Sequence, residues 1–86
     1  MSEELPGIDF GTFVMSLASS VLVHLGEIAH PDSSKNEPNL PLAKQTIDIL
    51  GMLQDKTRGN LSNEEQQLLT NLLYDLRMKY VAATKR

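Results

Sequence analysis

The chain has no cysteine. That absence excludes a disulfide framework, a thiolate nucleophile and any cysteine-ligated zinc or iron–sulfur site, so a fold of 86 residues has to be held by packing alone. Helices and partner subunits are the usual means at this size. Basic charge is scarce as well: eight Lys and Arg stand against eleven Asp and Glu, a formal net charge of -3. Neutralisation of phosphates by Lys and Arg supplies most non-specific nucleic-acid affinity, and this balance leaves no footprint for it. Uninterrupted apolar runs are missing too. The most apolar segment, Phe10 to Leu25, is broken by Thr12, Ser16, Ser19, Ser20 and His24. It falls short of the roughly 20 apolar residues of a spanning helix and reads as a core helix, with no membrane as partner. Glu3 and Glu4 stand where a signal peptide needs a basic stretch, and no small-residue cleavage site follows. The expected location is the cytoplasm. No segment alternates with period two and no glycine-rich phosphate loop is present, which removes strands and nucleotide cradles from the reading.

What remains is a single all-α domain. The composition, 41% apolar and 22% charged with both signs interspersed, is that of an ordinary globular protein, and one core of this size does not divide in two. Residues 1–8 are expected to form a flexible N-terminus, 9–83 the helical domain and 84–86 a tail. The first helix is expected over about 9–28, opening at the N-cap candidate Asp9. His30-Pro31 and the polar run Asp32 to Pro38 give a loop over about 29–39. The second helix is expected over about 40–57. Pro41 suits its first turn, where the missing N–H costs nothing; Lys56 and Arg58 suit the negative end of its dipole; Gly59 stops it. The third helix, over about 62–83, opens with Ser62-x-x-Glu65, a capping box in which the serine oxygen accepts a free N–H and the glutamate reaches back to the cap.

The apolar pattern says how these helices pack. On a wheel at about 100° per residue, Phe10, Phe13, Val14, Met15, Leu17, Ala18, Val21, Leu22, Leu25 and Ile28 fall within an arc of roughly 200°. The first helix is therefore expected to be sandwiched between others as the central core element. The second carries a narrower arc of Leu42, Ala43, Ile47, Ile49, Leu50 and Leu53 against a polar face of Lys44, Gln45, Asp48, Asp55 and Lys56. The third has its main arc on Leu68, Leu69, Leu72, Leu73, Leu76 and Tyr80, and a second stripe of Tyr74, Met78 and Val81 at i, i+4, i+7 nearly opposite. The expected architecture is a three-helix bundle, or a hairpin of the second and third helices with the first packed across it. Apolar surface left over by the wide arc and the second stripe is expected to be buried by dimerisation, a two-fold being the commonest symmetry.

Several blocks occur together in order: Asp9-Phe10-Gly11-Thr12-Phe13-Val14-Met15-Ser16-Leu17-Ala18-Ser19-Ser20, His24-Leu25-Gly26, Asn39-Leu40-Pro41-Leu42-Ala43-Lys44 with Gln45-Thr46-Ile47-Asp48-Ile49-Leu50, Gly59-Asn60-Leu61-Ser62, and Leu72-Leu73-Tyr74-Asp75-Leu76-Arg77-Met78-Lys79-Tyr80-Val81. In this the chain resembles the bacterial domain-of-unknown-function family 1844, from about Asp9 to Val81. The resemblance implies a compact helical protein of a bacterial cytoplasm. It brings no activity, cofactor or catalytic residue. Gly11, early in the first helix, is poor helix chemistry and is expected to mark close packing against another helix.

Three constellations have the residue types that chemistry uses, and each has a plainer reading. His24-x-x-Glu27-x-x-His30, with Asp32 nearby, has the i, i+3 spacing of a metal cluster on a continuing helix. Pro31 disfavours helix at His30, however, and His24 lies in the apolar arc, so a buried histidine donating to a backbone or partner group is preferred. Ser20 and His24 resemble a nucleophile and base without an orienting carboxylate or oxyanion hole. A mid-helix serine bonds the carbonyl four residues back, and the small run Ser16, Ser19, Ser20 is better suited to letting another backbone approach. Asp48 and Asp55 could pair as acid and base only if burial separated their pKa values; interleaved with Lys44 and Lys56, they read as a solvated face. No metal, no cofactor and no enzyme activity are expected.

The function expected by elimination is a homo-oligomeric helical interaction or structural module. Its candidate interface is Tyr74, Arg77, Met78 and Val81, an apolar and aromatic anchor rimmed by charge, with the 29–39 loop presented beside it to a cytoplasmic protein partner. Self-association through the same stripe ranks just ahead of a foreign partner. The alternative is a small enzyme or ligand-binding protein with its site between subunits.

Overall fold

The computed structural model describes residues 8–27 and 38–85. Three α-helices, α1 Phe10–His24, α2 Leu40–Lys56 and α3 Asn63–Thr84, pack against one another in every pair. No strand occurs among the described residues. The all-α, three-helix expectation is the fold observed.

Each helix starts on a side-chain cap. Asp9 Oδ1 accepts the Thr12 N–H at 2.7 Å, and Asn39 Oδ1 accepts the Leu42 N–H at 3.1 Å, with Pro41 in the first turn. Ser62 Oγ accepts the Glu65 N–H at 3.1 Å while Glu65 Oε1 accepts the Ser62 N–H at 2.9 Å, closing the expected capping box. These bonds satisfy donors that a first helical turn leaves without intrahelical partners.

The first helix is shorter than its apolar pattern suggests, ending at His24 instead of near Ile28. Gly26 is the reason. At φ +83° it lies in the left-handed region; its N–H donates to the Val23 carbonyl at 3.0 Å and the Glu27 N–H to that of Leu22 at 2.9 Å. Together these make a Schellman closure, in which a glycine past the last turn lets the chain leave the helix with its carbonyls satisfied. The freed His24 carbonyl accepts the Asn39 N–H at 2.7 Å, so the end of α1 is tied to the start of α2. Of the expected loop only Pro38 and Asn39 are described. Its remainder, residues 1–7 of the expected flexible N-terminus and Arg86 of the tail lie outside the described residues. At the other end α3 runs one residue past the expected limit, to Thr84.

The core is a seam from each helix: Val14, Ala18, Val21 and the cap Leu25 from α1; Ala43, Ile47 and Leu50 from α2; Leu69, Leu73 and Leu76 from α3. Every seam advances by four and three residues, the spacing that keeps one narrow stripe turned toward neighbouring helices. Among the described residues Thr46 is the buried polar one, and its hydroxyl donates to the Leu42 carbonyl at 3.0 Å, which offsets its burial.

Three helices meeting at one axis can each turn only one seam inward, so α1 packs against both α2 and α3 as expected while part of its wide apolar arc is left over. Phe13 and Met15, at the two sides of that arc, are 42% and 47% exposed. Leu42 and Ile49 of α2 are likewise exposed. Gly11 does approach α3, but a Cβ placed there would meet Leu68 Cδ2 at 3.6 Å, an ordinary contact, so the packing does not require glycine.

Candidate interaction surface

The i, i+4, i+7 stripe on α3 lies nearly opposite that helix's seam and is exposed along its length. Tyr74 is 70% exposed, Met78 56% and Val81 46%. The three side chains do not stand alone on a convex helix. With Arg77 they form one wall of a groove between α3 and α2, whose other lining residues are Gln54, Thr70 and the buried Leu73. All four residues singled out from the sequence therefore share one concavity.

Two details of α2 shape this groove. Gln54 Nε2 donates to Thr70 Oγ1 at 3.1 Å, bridging the helices with a polar contact. Three residues earlier, Gly51 lacks the side chain that would meet the Arg77 guanidinium: a Cβ there would lie 3.1 Å from Nη2. The guanidinium thus lies down against α2 at the groove's edge. It makes no ion pair or hydrogen bond among the described residues, whereas Lys79 on the same helix pairs with Asp75 at 3.7 Å. Spacing alone could not show that Gly51 and Gln54 belong to this surface, because neither carries an apolar or charged signal.

The other constellations are taken apart by the fold. His24 ends α1 and Glu27 lies beyond the Schellman turn, so the helical i, i+3 relation between them does not exist. His30 and Asp32 lie outside the described residues. Among the described residues no three His, Asp or Glu side chains converge as a metal site. His24 is half-buried, and its ring makes no hydrogen bond among the described residues. Ser16, Ser19 and Ser20 all face outward, and Ser16 Oγ donates to the Thr12 carbonyl at 3.0 Å. No backbone within the described fold takes advantage of this small run. Asp48 and Asp55 lie on a solvated face as expected: Asp48 accepts from Lys44 at 2.9 Å and Asp55 from Arg58 at 3.0 Å, all four side chains being well exposed. The hydrogen bond to Asp48, reinforced by its charge, raises the Lys44 pKa above its ordinary 10.5. At the α2–α3 turn, Gln54, Thr57, Arg58, Gly59, Leu61 and Gln66 line a polar hollow. Its charged group, Arg58, is already engaged by Asp55.

The arrangement offers an apolar trough with one unengaged cation at its edge, which is the chemistry of docking an amphipathic segment. The family model for a domain of unknown function (DUF1844) matches residues 7–82. The chain belongs to that family. No curated protein and no solved structure matches it.

Proposed function

We propose that this protein is a homo-oligomeric helical interaction module whose α2–α3 groove receives an amphipathic helix from another protein. The observation that carries the reading is the convergence of Tyr74, Met78 and Val81 on one groove beside Arg77. Exposed aromatic and thioether side chains in a concavity are the anchors that concentrate binding energy in protein interfaces. A cation without a partner at the rim favours an occupant that brings a carboxylate.

The test is affinity capture by the wild-type chain, compared with Tyr74→Ala and Arg77→Glu. Tyr74 and Arg77 are exposed, so both variants should keep the wild-type helical dichroism. A specific partner retained by wild type should lose roughly 30-fold in affinity to Tyr74→Ala, the effect of removing an anchor worth about 2 kcal/mol. A partner held equally by all three proteins would refute the groove. A small molecule that co-purifies between subunits, with no protein partner, would favour an enzyme or ligand-binding reading in its place.

A further inference from the structure

Seventeen consecutive residues, Phe10 to Gly26, contain no Asp, Glu, Lys or Arg in a chain that is 22% charged. They include all of α1. A surface helix of a small protein puts its charges on the side that faces water, as α2 and α3 do with Lys44, Asp48, Glu64 and Asp75. The outward side of α1 instead carries small hydroxyl residues, with Thr12, Ser16 and Ser20 at four-residue spacing, all exposed. Phe13 and Met15 stand exposed on the two shoulders of that ridge. On α2, Gly51 and Gln54 face α3, which turns the opposite flank, with exposed Leu42 and Ile49, toward α1. An uncharged, partly apolar surface therefore extends from the α1 ridge across Phe13 onto the edge of α2.

We infer that this face is the homodimer interface and that its occupant is the same face of a second copy, related by a two-fold axis. The inference deepens the homo-oligomer part of the function proposed above and rests on it. Three arguments select a second copy. A face without charge selects no charged partner, and a surface of small ridge and apolar shoulders meets itself without juxtaposing like charges. The extent fits a small interface: α1 has 15 residues, a length of about 22 Å, and two helices about 9 Å apart present a patch on the order of 20 Å wide. That is roughly 450 Å² in projection before side-chain relief is counted, more than half of the roughly 800 Å² per partner of a standard interface and on the scale of the smaller specific ones. The competing α3 groove pairs badly with itself, because a two-fold across the stripe brings Arg77 toward the Arg77 of its copy, two unengaged cations. A lipid surface fits poorly, since helices that lie on membranes carry Lys and Arg on their polar side and α1 has neither.

Light scattering coupled to size exclusion, on the full chain at high micromolar concentration, tests this directly. Wild type should elute at twice the chain mass. Ser16→Lys and Ser20→Lys place a charge on exposed positions with no loss of helix propensity, so each should keep wild-type dichroism and run as a monomer. Met78→Glu should remain a dimer. A monomeric wild type would overturn both this inference and the homo-oligomer reading. A dimer that survives both lysine variants, or that Met78→Glu dissociates, would overturn the face assigned here and leave the homo-oligomer standing. Sedimentation of wild type, but not of Ser16→Lys, with phosphatidylethanolamine–phosphatidylglycerol vesicles would give the face to lipid and overturn the inference.

Discussion

Two glycines with the same nominal crowding should respond to alanine with opposite sign. At Gly51 and at Gly26 an added Cβ would lie 3.1 Å from its nearest neighbour. Gly51 sits inside α2 with helical backbone, where glycine is less favourable than alanine by about 1 kcal/mol. Its neighbour is the far end of Arg77, an exposed side chain that can withdraw by a few tenths of an ångström. Little is lost, so Gly51→Ala should gain about 0.5–1 kcal/mol, which for a domain of this size is a rise in Tm of roughly 2–8 °C. Gly26 has φ +83°, where an L side chain costs about 1–2 kcal/mol before any contact is counted. Its neighbour is the ring of Pro38, which can yield only by a change of pucker and not by swinging away as a long side chain does. Gly26→Ala should therefore lose at least about 1–2 kcal/mol, lowering Tm by roughly 4–16 °C. Thermal unfolding followed by circular dichroism, at one fixed chain concentration because association shifts Tm, measures both. Destabilisation by Gly51→Ala would show that α2 and α3 approach more closely than the Arg77 contact implies, and it would refute the account of the groove wall. Indifference of Gly26→Ala would refute the Schellman closure as the stop of α1.

Three further outcomes follow from the packing and the caps. Leu50 is completely buried in the α2 seam, and Leu50→Ala should cost about 2–5 kcal/mol in urea unfolding; a loss below about 1 kcal/mol would place it outside the core. Ser62→Ala removes one half of the capping box and should cost about 1 kcal/mol in the same assay, with no change expected in the mass of the assembly. The Asp9 carboxylate accepts the Thr12 N–H, and that hydrogen bond holds its pKa below the ordinary 3.8. Its contribution is thus in place above the unfolded-state value and is lost as pH falls through the folded one. Asn at the same cap does not titrate, so urea midpoints should favour wild type relative to Asp9→Asn at neutral pH and lose that margin on acidification toward pH 3. An unchanged margin would show that the cap is not formed.

The starts of the helices were legible because a cap is a local event: Asp9 and the Ser62-x-x-Glu65 box each need only the next turn of chain. The end of α1 was harder for a physical reason. Apolar periodicity continues through Leu25 to Ile28, and a hydrophobic count does not register that Gly26 can leave the helix by a positive φ. The signal was present in the glycine itself. That the wide α1 arc would leave apolar surface over was legible, but which of its residues stay outside was not, since a wheel reports which residues are apolar and not where the neighbours that cover them stand. With only α2 and α3 available, the seam of Val14, Ala18, Val21 and Leu25 is filled and Phe13 and Met15 stay outside. For the candidate surface, the stripe Tyr74, Met78 and Val81 could be read by spacing, and Arg77 by adjacency. Gly51 and Gln54, which make the stripe a groove, come from another helix at a distance in sequence that no periodicity encodes.

Charge separates the two apolar surfaces that the three seams leave over. If both were merely insufficiently covered core, they should look alike, with the same balance of apolar and charged neighbours. They do not. On α3 the stripe is interleaved with Asp75, Arg77 and Lys79, so the helix remains well solvated when the groove is empty, as a surface that is occupied only part of the time must be. On α1 nothing charged separates Phe13, Met15 and the hydroxyl ridge over its whole length, and an exposed face of that composition has no such protection against indiscriminate association. On the assignments proposed above, this physical difference gives the faces different lifetimes of contact. The uncharged face of α1 suits a permanent partner of the same sequence, present wherever the chain is made, and the cation-edged groove of α3 suits a partner that arrives and departs.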